Sequence, residues 1–223
     1  MSKNILIVGA SGLVGGEMLK NLKTTNNDLI LLSRKKLLCE NSINQIVIDF
    51  ENIDSLDASL KVDEIYIAIG QKLSLSELVY IKKNNRKSFV NVDYNYIKKV
   101  AEFAKNCGAN SVGLISAIGA NSKSFNTYLK VKGDVEQEIK LVGYKKIIIA
   151  HPSHLLGKRA GEDIPMNVKV FEQITNLFGL LMIGPLQKFR NVEAKKVAKA
   201  IISKMDSVEE GIHYIDYKYF KNF

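Results

Sequence analysis

The stretch Asn4-Ile5-Leu6-Ile7-Val8-Gly9-Ala10-Ser11-Gly12-Leu13-Val14-Gly15 decides the fold. Its first half is a short unbroken apolar run, as expected of a strand buried on both faces of a parallel sheet. Its second half spaces three glycines ahead of an amphipathic segment that puts Val14, Met18 and Leu22 at i, i+4 and i+8. The three glycines serve different ends. Gly9 permits the tight turn, Gly12 lets an anion approach the backbone with no Cβ in the way, and Gly15 lets the helix pack closely on the sheet. The amides from Ser11 through Leu13 and Val14 then open the helix toward a pyrophosphate.

Working outward, strands and helices alternate. Asp28 to Ser33, Gln45 to Phe50, Glu64 to Gly70, Ser111 to Ala117 and Lys146 to Ala150 read as strands. Asn95 to Asn106 reads as a helix stopped by Gly108, and Thr127 to Leu141 as a helix stopped near Gly143. Beyond Pro152 the alternation fades. Pro165 opens a helix toward Leu181, Ala194 to Met205 is amphipathic, and Ile212 to Tyr217 reads as a last strand. This order predicts an α/β fold, a Rossmann doubly wound parallel sheet with ligands beyond the C-terminal strand ends.

The chain of 223 residues, 46% hydrophobic and 25% charged, suits a single domain over 1–223, with 1–150 as a cofactor-binding core. The first strand starts too early to leave room for a leader, and no apolar run spans a bilayer, so the expectation is a cytoplasmic protein with no membrane partner. Cys39 and Cys107 are too few for a disulfide framework or a zinc site. The net charge of +9 comes from lysines scattered from Lys3 to Lys221, without the aromatic interleaving of a single-strand binder. That favours solvated faces over a nucleic-acid partner. His151-Pro152-Ser153-His154 offers two imidazoles and no evident third ligand, so no metal is expected.

The end of the second strand points to the cofactor. NAD sites place an acid there for the ribose hydroxyls, whereas this chain has Ser33-Arg34-Lys35-Lys36 and no acid until Glu40. A guanidinium holds a 2′-phosphate with forked bonds, so Ser33 and Arg34 favour NADP(H) over NAD(H). Asp49 is placed either to accept from an adenine amino group or to cap the next turn.

Tyr128 and Lys132 share a helical face at i, i+4, and the ammonium is expected to lower the phenol pKa. A tyrosine so tuned is an acid or base for a carbonyl/alcohol pair. Ser116, ending the fifth strand, is placed to hold the substrate oxygen. Asp93 reads as a helix cap.

GASGLVG, LLSRK, AIG after strand 4, NVDYNY, ISAIGA, YLKVKGDVE, HPSHLLGKR and FRNVEAKKVAKA follow the order seen in a known group. The chain resembles the atypical short-chain dehydrogenase/reductases, nearest to the Tat-interacting-protein-30-like subgroup. That resemblance implies a small C-terminal substrate lobe within 151–223, NADP(H), a small-molecule substrate, and proton donation from Tyr128 with Ser116 and Lys132. It also implies that Phe50 beside Asp49, the run Ala68-Ile69-Gly70, and Pro152-Ser153 lie against the cofactor. Members often carry two serines after strand 5; here they are Ser116 and Ala117, with Ser122 and Ser124 as alternates. His151 stands where an Arg often precedes the Pro-Ser pair, and Asn191 where a Pro is usual. The rival to a reductase is a non-catalytic NADP(H)-binding redox regulator. The Tyr217-to-Phe220 segment either packs on the domain or forms a homodimer contact.

Overall fold

The computed structural model describes residues 2–39, 43–157 and 184–223. Its main sheet has seven parallel strands: β1 (Asn4–Val8), β2 (Asp28–Ser33), β3 (Asn44–Val47), β4 (Glu64–Ile67), β5 (Ser111–Ile115), β6 (Lys146–Ala150) and β9 (Gly211–Ile215). The order is β3-β2-β1-β4-β5-β6-β9, and a second, two-stranded parallel sheet joins β7 (Leu155–Leu156) to β8 (Val192–Glu193). The strand order reverses between β1 and β4, and the crevice beyond that switch is where open α/β sheets bind ligands.

Both faces of the sheet are covered, which explains the continuous apolar strands. On one face α1 (Leu13–Leu22), α6 (Ala194–Ser207) and α7 (Tyr217–Phe220) bury Met18, Val197, Ile201 and Phe220. On the other, α4 (Tyr96–Asn106) and α5 (Thr127–Leu141) bury Ile97, Val100, Val135 and Ile139. Two short helices, α2 (Leu75–Val79) and α3 (Lys83–Val90), precede α4.

Several predicted boundaries move. β3 stops at Val47 because the Asp49 side chain accepts from the Glu51 amide and caps a 3-10 turn over Phe50–Ser55. β4 ends at Ile67, not Gly70, and β5 at Ile115, not Ala117. β9 starts at Gly211 and ends at Ile215, because Asp216 caps α7 through the Lys218 amide. The helix expected to begin at Asn95 is the last part of a run that opens with α3 at Lys83 and passes through a π-helical turn at Asn91–Asn95. The helix expected from Pro165 to Leu181 lies outside the described residues. The Tyr217-to-Phe220 segment packs on the domain, with Phe220 fully buried.

Candidate functional site

β1 delivers the chain into the glycine turn. Gly9 has φ +95°, and a Cβ there would stand 2.6 Å from the Ala68 carbonyl carbon. A Cβ on Gly15 would stand 2.1 Å from the Gly9 oxygen, so Gly15 serves close packing and stays out of the cleft lining. The Gly12 amide donates to the Gly9 carbonyl at 2.8 Å, and no side chain caps the first turn of α1. Gly9, Ser11, Gly12, Leu13 and Val14 form one wall of a cleft of about 970 Å³. An uncapped helix start with no Cβ above it is the cradle a pyrophosphate requires. The residues present therefore fit a dinucleotide.

At one end of the cleft lie Ser33, Arg34, Lys35, Lys36 and Phe50. The three cations are exposed. Ser33 Oγ donates to the Lys35 carbonyl at 2.7 Å, which shapes the basic loop. Phe50 is buried edge-on against Tyr96, with centroids 5.6 Å apart. Asp49 takes the capping role of its two alternatives.

Ser116, Tyr128 and Lys132 line the same cleft, and Ala68, Ile69 and Gly70 pass beside them. Thr127–Leu141 is helical because Asn126 caps it, its side chain accepting from the Leu129 amide at 3.0 Å. Gly133 on this helix lets the preceding loop close down, since a Cβ there would stand 2.2 Å from the Ser122 nitrogen. Ser124 Oγ accepts from the Asn126 amide within that loop, so of the three serines it is Ser116 that lines the cleft. Pro152 is buried with its carbonyl bonded to the Ile118 amide, and Ser153 Oγ donates to the Arg190 carbonyl. Both brace neighbouring chain and fall outside the described cleft lining, where Leu155 stands instead.

Two acids belong to this region that the sequence reading placed elsewhere or passed over. Asp93 is not a cap. It is 1% exposed on the π-helical turn, pairs with Lys132 Nζ at 2.8 Å and accepts from the Gln71 amide at 2.7 Å. A π turn at a functional cleft is a recurrent device for re-aiming one side chain. Glu136 is buried one turn beyond Lys132; its Oε1 accepts from Ser116 Oγ and lies 2.8 Å from His151 Nε2. The spacing Tyr128, Lys132, Glu136 at i, i+4, i+8 was the one signal available for it.

The expected lowering of the Tyr128 pKa does not hold in this structure. Burial pushes the phenol up, Lys132 pulls it down, and Asp93 pushes it up again, leaving it above its ordinary value. For Lys132, burial opposes the charge, but the Asp93 carboxylate, together with Tyr128 and Glu136, outweighs it and the ammonium is held above its usual range. Burial, the largest of the effects on Tyr128, is what keeps the phenol high despite the lysine beside it. Among the described residues no cluster of three metal-ligating side chains occurs, and no helix is long and apolar enough to cross a membrane.

A parallel sheet with a glycine turn at its switch point, and Ser, Tyr and Lys on one cleft, defines a Rossmann protein of short-chain dehydrogenase/reductase type. A rat protein, HTATIP2, is 32% identical over 165 residues, which cover 71% of this chain and 65% of the relative. The FMP52 protein of Lodderomyces elongisporus is 30% identical over 176 residues, covering 71% of this chain and 69% of the relative. The chain belongs to their family, the HTATIP2-type atypical short-chain dehydrogenases/reductases. It spans slightly under two thirds of the rat relative's length. No protein-family model matches it. The solved structure of MoeE5 in complex with UDP-glucose and NAD shares the fold, with TM-score 0.69 and 11% identity, over 97% of this chain and 79% of that one. The FMP52 relatives are named as mitochondrial, which overturns the cytoplasmic expectation.

Proposed function

We propose that the chain is an NADP(H)-dependent oxidoreductase that reduces a small carbonyl or unsaturated compound. One observation carries this reading: a single cleft runs from the uncapped glycine turn to Ser116, Tyr128 and Lys132. When bound, a nicotinamide dinucleotide supplies the hydride. The turn amides from Ser11 to Val14 hold the pyrophosphate, and Arg34, with Lys35 and Lys36 beside it, holds the 2′-phosphate. Ser33 shapes that loop through its bond to Lys35. Phe50 borders the adenine end, and Ala68 to Gly70 form the floor under the nicotinamide half.

Tyr128 acts as the acid. Its raised pKa keeps it protonated at neutral pH, the state needed to give a proton to a developing alkoxide. Lys132, anchored by Asp93, presents its remaining N–H groups to a ribose hydroxyl and sets the electrostatics at the phenol. Ser116 lines the cleft beside Tyr128.

Titration of NADPH and NADH by their fluorescence enhancement tests the cofactor reading. Arg34→Ala is expected to weaken NADPH by about 10–100-fold, the worth of charge-assisted bonds to a phosphate, and to leave NADH unchanged. Equal binding of the two by the parent chain, or an unaltered preference in the variant, removes NADP(H). Binding of neither removes the oxidoreductase reading altogether.

A further inference from the structure

Ser116 Oγ reaches two places at once. It lines the cleft with Tyr128 and Lys132, and it donates to Glu136 Oε1 behind them. Glu136 is 5% exposed and Ser116 4% exposed, so water does not compete for that bond. His151 Nε2, at 2.8 Å, converges on the same carboxylate oxygen from the end of β6. A serine hydroxyl has one proton and two lone pairs, and an ionised carboxylate only accepts. With its proton committed to Glu136, Ser116 has only lone pairs left to offer the cleft.

We propose that Glu136, backed by His151, is a positioning residue that fixes Ser116 as a hydrogen-bond acceptor toward the cleft, so that the site selects a ligand presenting a hydroxyl donor over one presenting a carbonyl acceptor. The proposal deepens the oxidoreductase reading and rests on it for the identity of the ligand's reacting group. In that reaction the alcohol form is held by donating its proton to Ser116 Oγ, while the carbonyl form gains nothing from Ser116 unless Glu136 releases the serine proton. The site thereby leans toward the hydroxyl side of the redox pair. Glu136 itself touches neither partner. It acts through Ser116, and the spacing on α5 keeps it on the helical face that carries Tyr128 and Lys132.

The test is binding, not turnover. The probes are 1-phenylethanol and acetophenone, which differ at the reacting oxygen, and their affinities are read by ligand-observed NMR with and without NADPH. The parent chain is expected to bind the alcohol more tightly. Glu136→Met, similar in length but without an oxygen, frees the serine proton, and the alcohol-to-ketone preference is expected to fall by about tenfold, one hydrogen bond's worth. Ser116→Ala is expected to erase the preference by weakening the alcohol alone. A merely structural role for Glu136 weakens both probes together. Thermal unfolding checks that each variant folds, and Glu136→Gln, which keeps size and offers an N–H to Ser116, is expected to shift the preference the same way should the Met variant not fold. A parent chain that does not favour the alcohol, or a preference unmoved in the folded Glu136 variants, overturns the proposal. The measurements without dinucleotide judge it even where the parent chain binds no cofactor, the outcome that sinks the oxidoreductase reading instead.

Discussion

Asp93→Asn removes one charge from the Lys132–Asp93 pair, whose side chains are 7% and 2% exposed and whose atoms meet at 2.8 Å. Stranding one partner of a buried ion pair costs about 3–5 kcal/mol. The asparagine oxygen can still accept from the Gln71 amide, so the lower end, about 3 kcal/mol, is expected. For a domain of this size each kcal/mol moves Tm by about 2–4 °C, which gives a fall of roughly 6–12 °C. The assay is thermal unfolding at pH 7 without dinucleotide. The sign of the pH linkage supports that choice: the Lys132 pKa is raised on folding, so its contribution is complete below its unfolded value near 10.5 and is lost only as pH climbs through the higher folded value. A second step isolates the pair. Adding Lys132→Met to Asp93→Asn removes the stranded ammonium, so the double variant is expected to regain at least half of the loss. An Asp93→Asn loss under about 1 kcal/mol, the worth of an exposed pair, refutes the reasoning, as does additivity in the double variant.

Three further outcomes follow from the geometry. Gly15→Ala, with its new methyl driven against the Gly9 carbonyl, is expected to lose about 1–3 kcal/mol in urea unfolding and to weaken NADPH more than tenfold; native stability and affinity would contradict the packing role. Since the Tyr128 phenol is raised above 10, the alkaline limb of kcat/KM for reduction is expected above pH 10, and a limb near neutrality would show that Lys132 does lower the phenol after all. The lysines behind the +9 charge are scattered from Lys3 to Lys221, so a gel shift with duplex or single-stranded DNA at physiological salt is expected to show no complex; a shifted band would reopen the nucleic-acid reading.

What the sequence disclosed, and what it hid, divides along physical lines. The glycine turn was legible because only glycine satisfies its demands: a φ of +95° at Gly9 and a backbone 2.1 Å from any Cβ at Gly15. β2, β6 and α5 matched their expected bounds residue for residue, since apolar runs and the stop near Gly143 are local signals. α3 was invisible because Phe89 is its one buried side chain among mostly polar neighbours, so no periodicity marks it. Asp93 was misread because an Asp near a helix start has a local use, capping, while its partner Lys132 lies 39 residues on. Glu136 sat unremarked in a charged stretch, where only the fold reveals that Ser116 and His151 converge on it.

That division has a consequence for how the site tolerates change. The glycine-turn end of the cleft offers backbone amides, which most side-chain substitutions outside the glycines leave in place. The other end of the cleft carries three successive turns of α5, each tied to chain outside the helix. Lys132 is tied to the π turn through Asp93, Glu136 to the chain just after β5 through Ser116, and Glu136 again to the chain just after β6 through His151. Tyr128 is held by packing, its ring 6.0 Å from that of Phe89 on α3. Rotating α5 to re-aim Tyr128 would break a buried ion pair and a buried carboxylate cluster together, at a cost of several kcal/mol. Change in substrate preference is therefore far cheaper in the segments that border the cleft than on α5, and variants selected for a new substrate should leave Tyr128, Lys132, Asp93 and Glu136 untouched.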